Sequence, residues 1–158
     1  MNNSEYINSF AQMLLRVGLG ISFILHGLGK FPLPPERMVT WFESMGYMNP
    51  ELVTSLVALG EVGAGAGILL GGLFYIFNIY NNHIIHVIGD LITRLSAVGV
   101  VIIMFGAFYI AHADWFSTCK FFGKEYELIK FCPTKKVFMS EQIFLLILGL
   151  YFSIKGNS

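Results

Sequence analysis

The chain has 158 residues, of which 55% are hydrophobic and only 13% charged, a balance outside that of ordinary soluble domains. Ten basic and ten acidic side chains cancel to a formal charge of zero, and no basic block points to nucleic acid, anionic lipid or an acidic substrate. Fifteen Phe, seven Tyr and two Trp suit lipid-facing helices and interfacial belts, so the composition predicts an integral membrane protein.

A bilayer core needs about 20 helical residues to cross it, and four stretches supply them. The first, Phe10–Phe31, contains "MLLRVGLGISFILHGLGKF" and carries Arg16 near its start and His26 and Lys30 near its end. It is longer than the roughly 7–15 residues of a signal-peptide core and is expected to be a retained span. The second is Glu51–Phe77, the third Leu91–His112, and the fourth Gln142–Ile154, extended to residues 141–155 with its flanks. That last stretch is short and must borrow neighbours or thin the bilayer. The expected fold is an all-α, single-domain membrane protein, a four-transmembrane-helix bundle with a short helix in its first loop. No internal repeat or low-complexity segment interrupts it.

The first loop reads "PLPPERMVTWFESMGYMNPE". Pro34 and Pro35 suit a helix start and not a helix interior, and Met38, Val39, Trp41, Phe42 and Met45 then recur at near-helical spacing. A short amphipathic helix is predicted, lying on the membrane surface or packed inside the loop.

Residues 78–90 read as a connection holding His83 and His86. An H-x-x-H pair shares a helix face, but two histidines without a third ligand are a weak metal signal, and no metal is expected. The third loop, residues 113–140, holds Cys119 and Cys132 with no zinc-type spacing. The two thiols either form a disulfide, closing a ring of about 15 residues for roughly 3 kcal/mol, or are unrelated.

Glu61 stands alone in the run "VALGEVGAGAGILLGG". At 1.5 Å per residue it lies about 15 Å from the start of its helix, where an ionised group costs about 2.5–3.5 kcal/mol or more. A partner such as His26 or Lys30 would offset that cost, or the carboxyl is protonated. Either state makes it a candidate for proton transfer or ligand binding, while a buried network that fixes helix register is the structural alternative. Four antiparallel spans would bring His26, Lys30, Glu61, His112, Asp114, Glu141 and Gln142 into one half of the bundle. The other half would hold Arg16, Asp90, Arg94 and Lys155. Gly60, Gly63, Gly67 and Gly71 form a G-x-x-x-G-type stripe for close helix approach or for dimerisation.

Topology signals conflict. The loop side carries Lys30, Arg37, Lys120, Lys124, Lys130, Lys135 and Lys136 against Arg16, Arg94 and Lys155 on the terminal side. A positive-inside count puts the loops in the cytoplasm, whereas a disulfide requires the reverse. The helix-embedded positions of Arg16 and Arg94 favour cytoplasmic termini, and that is the expectation.

The stretches "LLRVGLGISFILHGLGKF", "LVALGEVGAGAGILLGGL", "LITRLSAVGVVIIMFGAFYIAH" and "EQIFLLILGLYFSIKG" together resemble the DoxX family of small bacterial and archaeal membrane proteins. The H-G-x-G-K element and the glycine-flanked glutamate carry the resemblance. It implies a four-helix membrane bundle in a bacterial or archaeal cytoplasmic membrane. It also points to membrane redox chemistry, since a related family includes the small subunit of thiosulfate:quinone oxidoreductase. The matching positions are Arg16, His26, Gly27, Lys30, Glu61, Arg94 and His112, and the departures are the long 74–90 connection and the expanded third loop.

The first functional expectation is a quinone-linked redox or electron-transfer-associated subunit. His26, Glu61 and His112 would be its catalytic groups, and His26, Lys30, Glu61, His112 and Gln142 would bind the quinone. No motif for a bound redox cofactor is present, so electrons would come from a membrane or soluble protein partner. The alternative is a non-catalytic scaffold or assembly subunit of a larger membrane complex, or a homo-oligomer. A transporter or proton channel is disfavoured by the absence of inverted repeats.

Overall fold

The computed structural model describes residues 3–77, 83–111, 119–121, 124–126 and 136–156. Five helices dominate it: α1 (Asn3–Leu28), α2 (Glu36–Ser44), α3 (Pro50–Phe77), α4 (His83–Gly106) and α5 (Lys136–Lys155). A π-helical turn, Ala107–Ala111, continues α4. The only described strands are β1 (Cys119–Phe121) and β2 (Lys124–Tyr126), paired antiparallel with Lys120 opposite Glu125.

Among the described residues, three segments are long and apolar enough to cross a membrane: Ile7–Leu28, Pro50–Phe74 and His83–Ile110. Gln142–Lys155 is apolar but shorter, as its sequence predicts. Two boundaries differ from the sequence reading. The connection expected over 78–90 is helical from His83 onward, and the loop expected over 113–140 is helical from Lys136. The run "HIIHVIGD" holds neither Pro nor a cluster of turn residues, and its hydrophobic spacing continues that of the following span, so α4 starts about two turns early. His83 and His86 therefore sit in the first turns of α4, and no group of three or more potential ligands occurs among the described residues.

Successive long helices pack antiparallel. Gly20 of α1 lies against Gly65 of α3, Gly67 of α3 against Ser96 of α4, and Gly149 of α5 against Val100 of α4. One core joins all four: Leu19 and Phe23 from α1, Ala64 and Ile68 from α3, Ala97, Val100 and Met104 from α4, and Leu145, Leu148 and Phe152 from α5. Many other large aliphatic side chains point outward, among them Leu14, Leu25, Leu56, Leu70, Leu95 and Ile102. Glycines at the close helix contacts, with many leucines facing outward, is a distribution expected where lipid, rather than water, surrounds the helices.

The glycine stripe of α3 divides its work. A Cβ at Gly67 or Gly71 would run into Ser96 or Thr93 of α4, and one at Gly60 would meet Ile103 at 3.3 Å, whereas one at Gly63 would meet nothing within 4 Å. Contact with α1 is made by Gly65, outside the stripe, where an added Cβ would lie 2.6 Å from the Gly20 carbonyl.

Helix α2 is a packed loop helix. It follows the proline run, with Pro35 at its N-cap and Glu36 favourably placed near the positive end of its dipole. Val39 and Phe42 are buried as it lies on α3, and Gly46, at φ 78°, turns the chain out of it.

Candidate functional site

The H-G-x-G-K element spans the end of α1, and its first glycine sets the helix contact. An added Cβ at Gly27 would lie 2.8 Å from the Ala58 carbonyl and 2.9 Å from the Val62 amide, so only glycine lets α1 meet α3 beside Glu61. Past Leu28 the backbone tightens, with Lys30 N–H donating to Gly27 O at 3.0 Å and Phe31 N–H to Leu28 O at 3.1 Å. This winding turns the Lys30 side chain back toward α3. Its ammonium donates to His26 O at 3.2 Å and forms an ion pair with the Glu61 carboxylate. Both partners are largely withdrawn from solvent, at 16% and 5% side-chain exposure for Lys30 and Glu61.

The pair forms part of the wall of a cavity of about 390 Å³. His26, Lys30, Glu61 and Gln142 contribute its polar groups. Val53 and Val57 of α3, Ile102, Ile103 and Gly106 of α4, and Ala107 and Ile110 of the π turn supply most of its apolar surface. The π turn adds a residue to one winding of the helix there, a feature frequent at functional sites. Met38, Trp41 and Phe42 of α2 complete the wall. Lys30, Met38 and Trp41 also line a second groove of about 500 Å³ together with Gly29, Pro35 and Arg37. Helix α2 thus contributes to the lining of both.

At the opposite end of the helices, Arg16 is buried and donates to Thr93 Oγ1 at 3.0 Å and Gly156 O at 2.5 Å. Its guanidinium carbon lies 4.8 Å from the centre of the Phe152 ring. Arg94 pairs with Asp90 at 2.7 Å and donates to Ile154 O at 2.6 Å and Ser153 O at 3.2 Å. Two arginines from α1 and α4 therefore satisfy the carbonyls that end α5, which would otherwise have no helical partner.

Of the predicted site residues, His26, Lys30, Glu61 and Gln142 meet at the cavity, while Arg16 and Arg94 join the second cluster with a different task. His112, Asp114 and Cys132 lie outside the described residues, so the roles assigned to His112 and to a Cys119–Cys132 pair rest on the sequence. Three contributors escaped the sequence reading: the walls given by Met38 and Trp41, the π turn, and Thr93 as the Arg16 acceptor. For α2 the signal was its amphipathic spacing, which announced a buried face without saying what it covered.

Long apolar helices with outward-facing leucines, closed around an ion pair and an apolar-walled cavity, define a multi-pass helical membrane protein with a polar site among its helices. The DoxX family model matches residues 11–79, less than half of the 158-residue chain, and over that segment the chain is similar to the DoxX family. The match takes in most of α1 and all of α2 and α3, hence His26, Lys30 and Glu61; α4 and α5 lie beyond it. No curated protein and no solved structure matches the chain.

Proposed function

We propose that the chain is a four-span bundle of a bacterial or archaeal cytoplasmic membrane, its termini cytoplasmic, whose cavity holds a quinone-class lipophile for a redox or electron-transfer-associated complex. The observation that carries this reading is the convergence of His26, Lys30, Glu61 and Gln142 on one otherwise apolar cavity of about 390 Å³. The volume lies in the range of small-molecule sites, and apolar walls with a few convergent polar groups are their usual composition.

The donor and acceptor set fits the group. Lys30 has a third N–H beyond those given to Glu61 and His26 O, and His26 and Gln142 add further hydrogen-bonding groups. Among the described residues Glu61 is the one carboxylate on the wall, and it is the residue that would hold a proton, with Lys30 keeping its charge compensated. A bound quinone would supply a couple of two electrons and two protons. Apolar walls from α3 and α4 would exclude water from it, and electrons would reach it from a protein partner.

A scaffold role is the second reading, favoured by the Lys30–Glu61 pair itself. The Glu61 charge is compensated within the chain, which ties α1 to α3 whether or not anything enters the cavity.

Native mass spectrometry of the protein extracted from its own membranes in mild detergent, wild type against Glu61→Gln, separates the two. A quinone-sized mass that is present in the wild type and lost in a folded variant supports the site. Co-purifying subunits without such a mass, unchanged in the variant, support the scaffold.

A further inference from the structure

The side-chain carbonyl oxygen of Gln142 is buried and accepts no hydrogen bond from any described residue. Gln142 stands near the start of the apolar part of α5 and lines the same cavity as Lys30 and Glu61. A buried acceptor left unmatched costs free energy, and a ligand that brings a donor to it recovers that cost. Among the described residues no wall donor is bonded to it. The Lys30 ammonium is directed to Glu61 and to His26 O, and the nearby surfaces of α3 and α4 are aliphatic.

We infer that Gln142 is a specificity-determining residue that makes the cavity select the reduced, hydroxyl-bearing form of its ligand over the oxidised, carbonyl-bearing form. The inference rests on the quinone-class reading above and adds the redox state that binds. A quinone presents only acceptors: it can take hydrogen bonds from Lys30 or His26 on the wall but leaves the Gln142 carbonyl unmatched. A hydroquinone presents an O–H at each end of its ring, and one of them satisfies Gln142 while the opposite oxygen still accepts from a wall donor. Because the surroundings are apolar, the bond made or missed there is not diluted by water.

The test uses the full-length chain in nanodiscs, with duroquinone and, under argon, duroquinol as probes, titrated by calorimetry against empty discs. The wild type is expected to bind duroquinol about tenfold more tightly, equivalent to about 1.4 kcal/mol. Gln142→Leu, of similar size but with no acceptor, is expected to bring the ratio to about one by weakening duroquinol alone. Gln142→Met is a second apolar variant with the same expectation, should the leucine variant fail to fold. Equal affinities in the wild type, a preference for duroquinone, or a ratio unchanged in the variants overturns the inference while leaving a quinone-class site standing. Binding of neither probe overturns the inference and the quinone-class reading together.

Discussion

Lys30 and Glu61, thirty-one positions apart, form an ion pair across the contact between α1 and α3 at the wall of the cavity. Its two members depend on each other. Lys30→Met leaves a nearly buried carboxylate without its cation and is expected to lower stability by about 3–5 kcal/mol. Replacing both, as Lys30→Met with Glu61→Leu, removes the uncompensated charge and should recover most of that loss. Unfolding in detergent micelles of the wild type, both single variants and the double variant gives the coupling energy. A double variant as unstable as the sum of the singles would show that the two residues act independently.

Two glycines of α3 two positions apart are predicted to respond oppositely to alanine. At Gly65 the new Cβ would press on the Gly20 carbonyl and on the Ile24 amide at 2.9 Å, backbone atoms that cannot turn away. Gly65→Ala is therefore expected to push α1 and α3 apart and cost about 1–3 kcal/mol. Gly63 has open space around its Cβ position, so Gly63→Ala should be neutral or stabilise by up to about 1 kcal/mol through helix propensity. Thermal unfolding of the two variants side by side is the measurement.

The end of α5 depends on Arg16. Arg16→Leu removes donors to Thr93 and Gly156 and the contact with Phe152. Hydrogen bonds to a charged group contribute about 1.5–3 kcal/mol, and a loss of that order is expected, with faster amide exchange concentrated in the last turn of α5. Arg16→Lys should recover only part, since an ammonium lacks the planar fork that reaches two acceptors. Gly156→Ala should loosen the same turn. Gly156 adopts φ 60°, and a Cβ there would meet Asp90 and the Arg94 guanidinium. Uniform exchange along α5 in these variants would argue against a local cap.

A steric plug tests occupancy without touching a polar group. Gly106 lines the cavity, and a Cβ at that position meets nothing within 4 Å. Gly106→Leu is expected to leave unfolding unchanged or raise stability slightly, while reducing duroquinol binding at least tenfold in the same nanodisc titration. Undiminished binding in a folded Gly106→Leu variant would place the ligand elsewhere.

The sequence by itself determined the apolar helices, the amphipathic helix of the first loop and the separation of polar residues toward two ends, because those follow from hydropathy and periodicity along the chain. It also marked Glu61, since a carboxylate among glycines and aliphatics demands compensation wherever it lies in a membrane. It could not choose between His26 and Lys30 as partner. Both share a face of the first span as the sequence predicts it, and the choice depends on how the backbone tightens after Leu28. Nor could spacing tell that Gly65 rather than Gly63 meets α1, because that depends on how α3 is rotated between two neighbours. The start of α4 at His83 was missed because its polar residues suggested a connection, while their effect on the helix is set by what packs against them. The sequence placed Gln142 in the same half of the bundle as Glu61, more than eighty positions away; only the tertiary structure showed that both line one cavity, with Met38 and Trp41 of α2, because wall contacts are decided by the packing of the helices and not by any local run of residues.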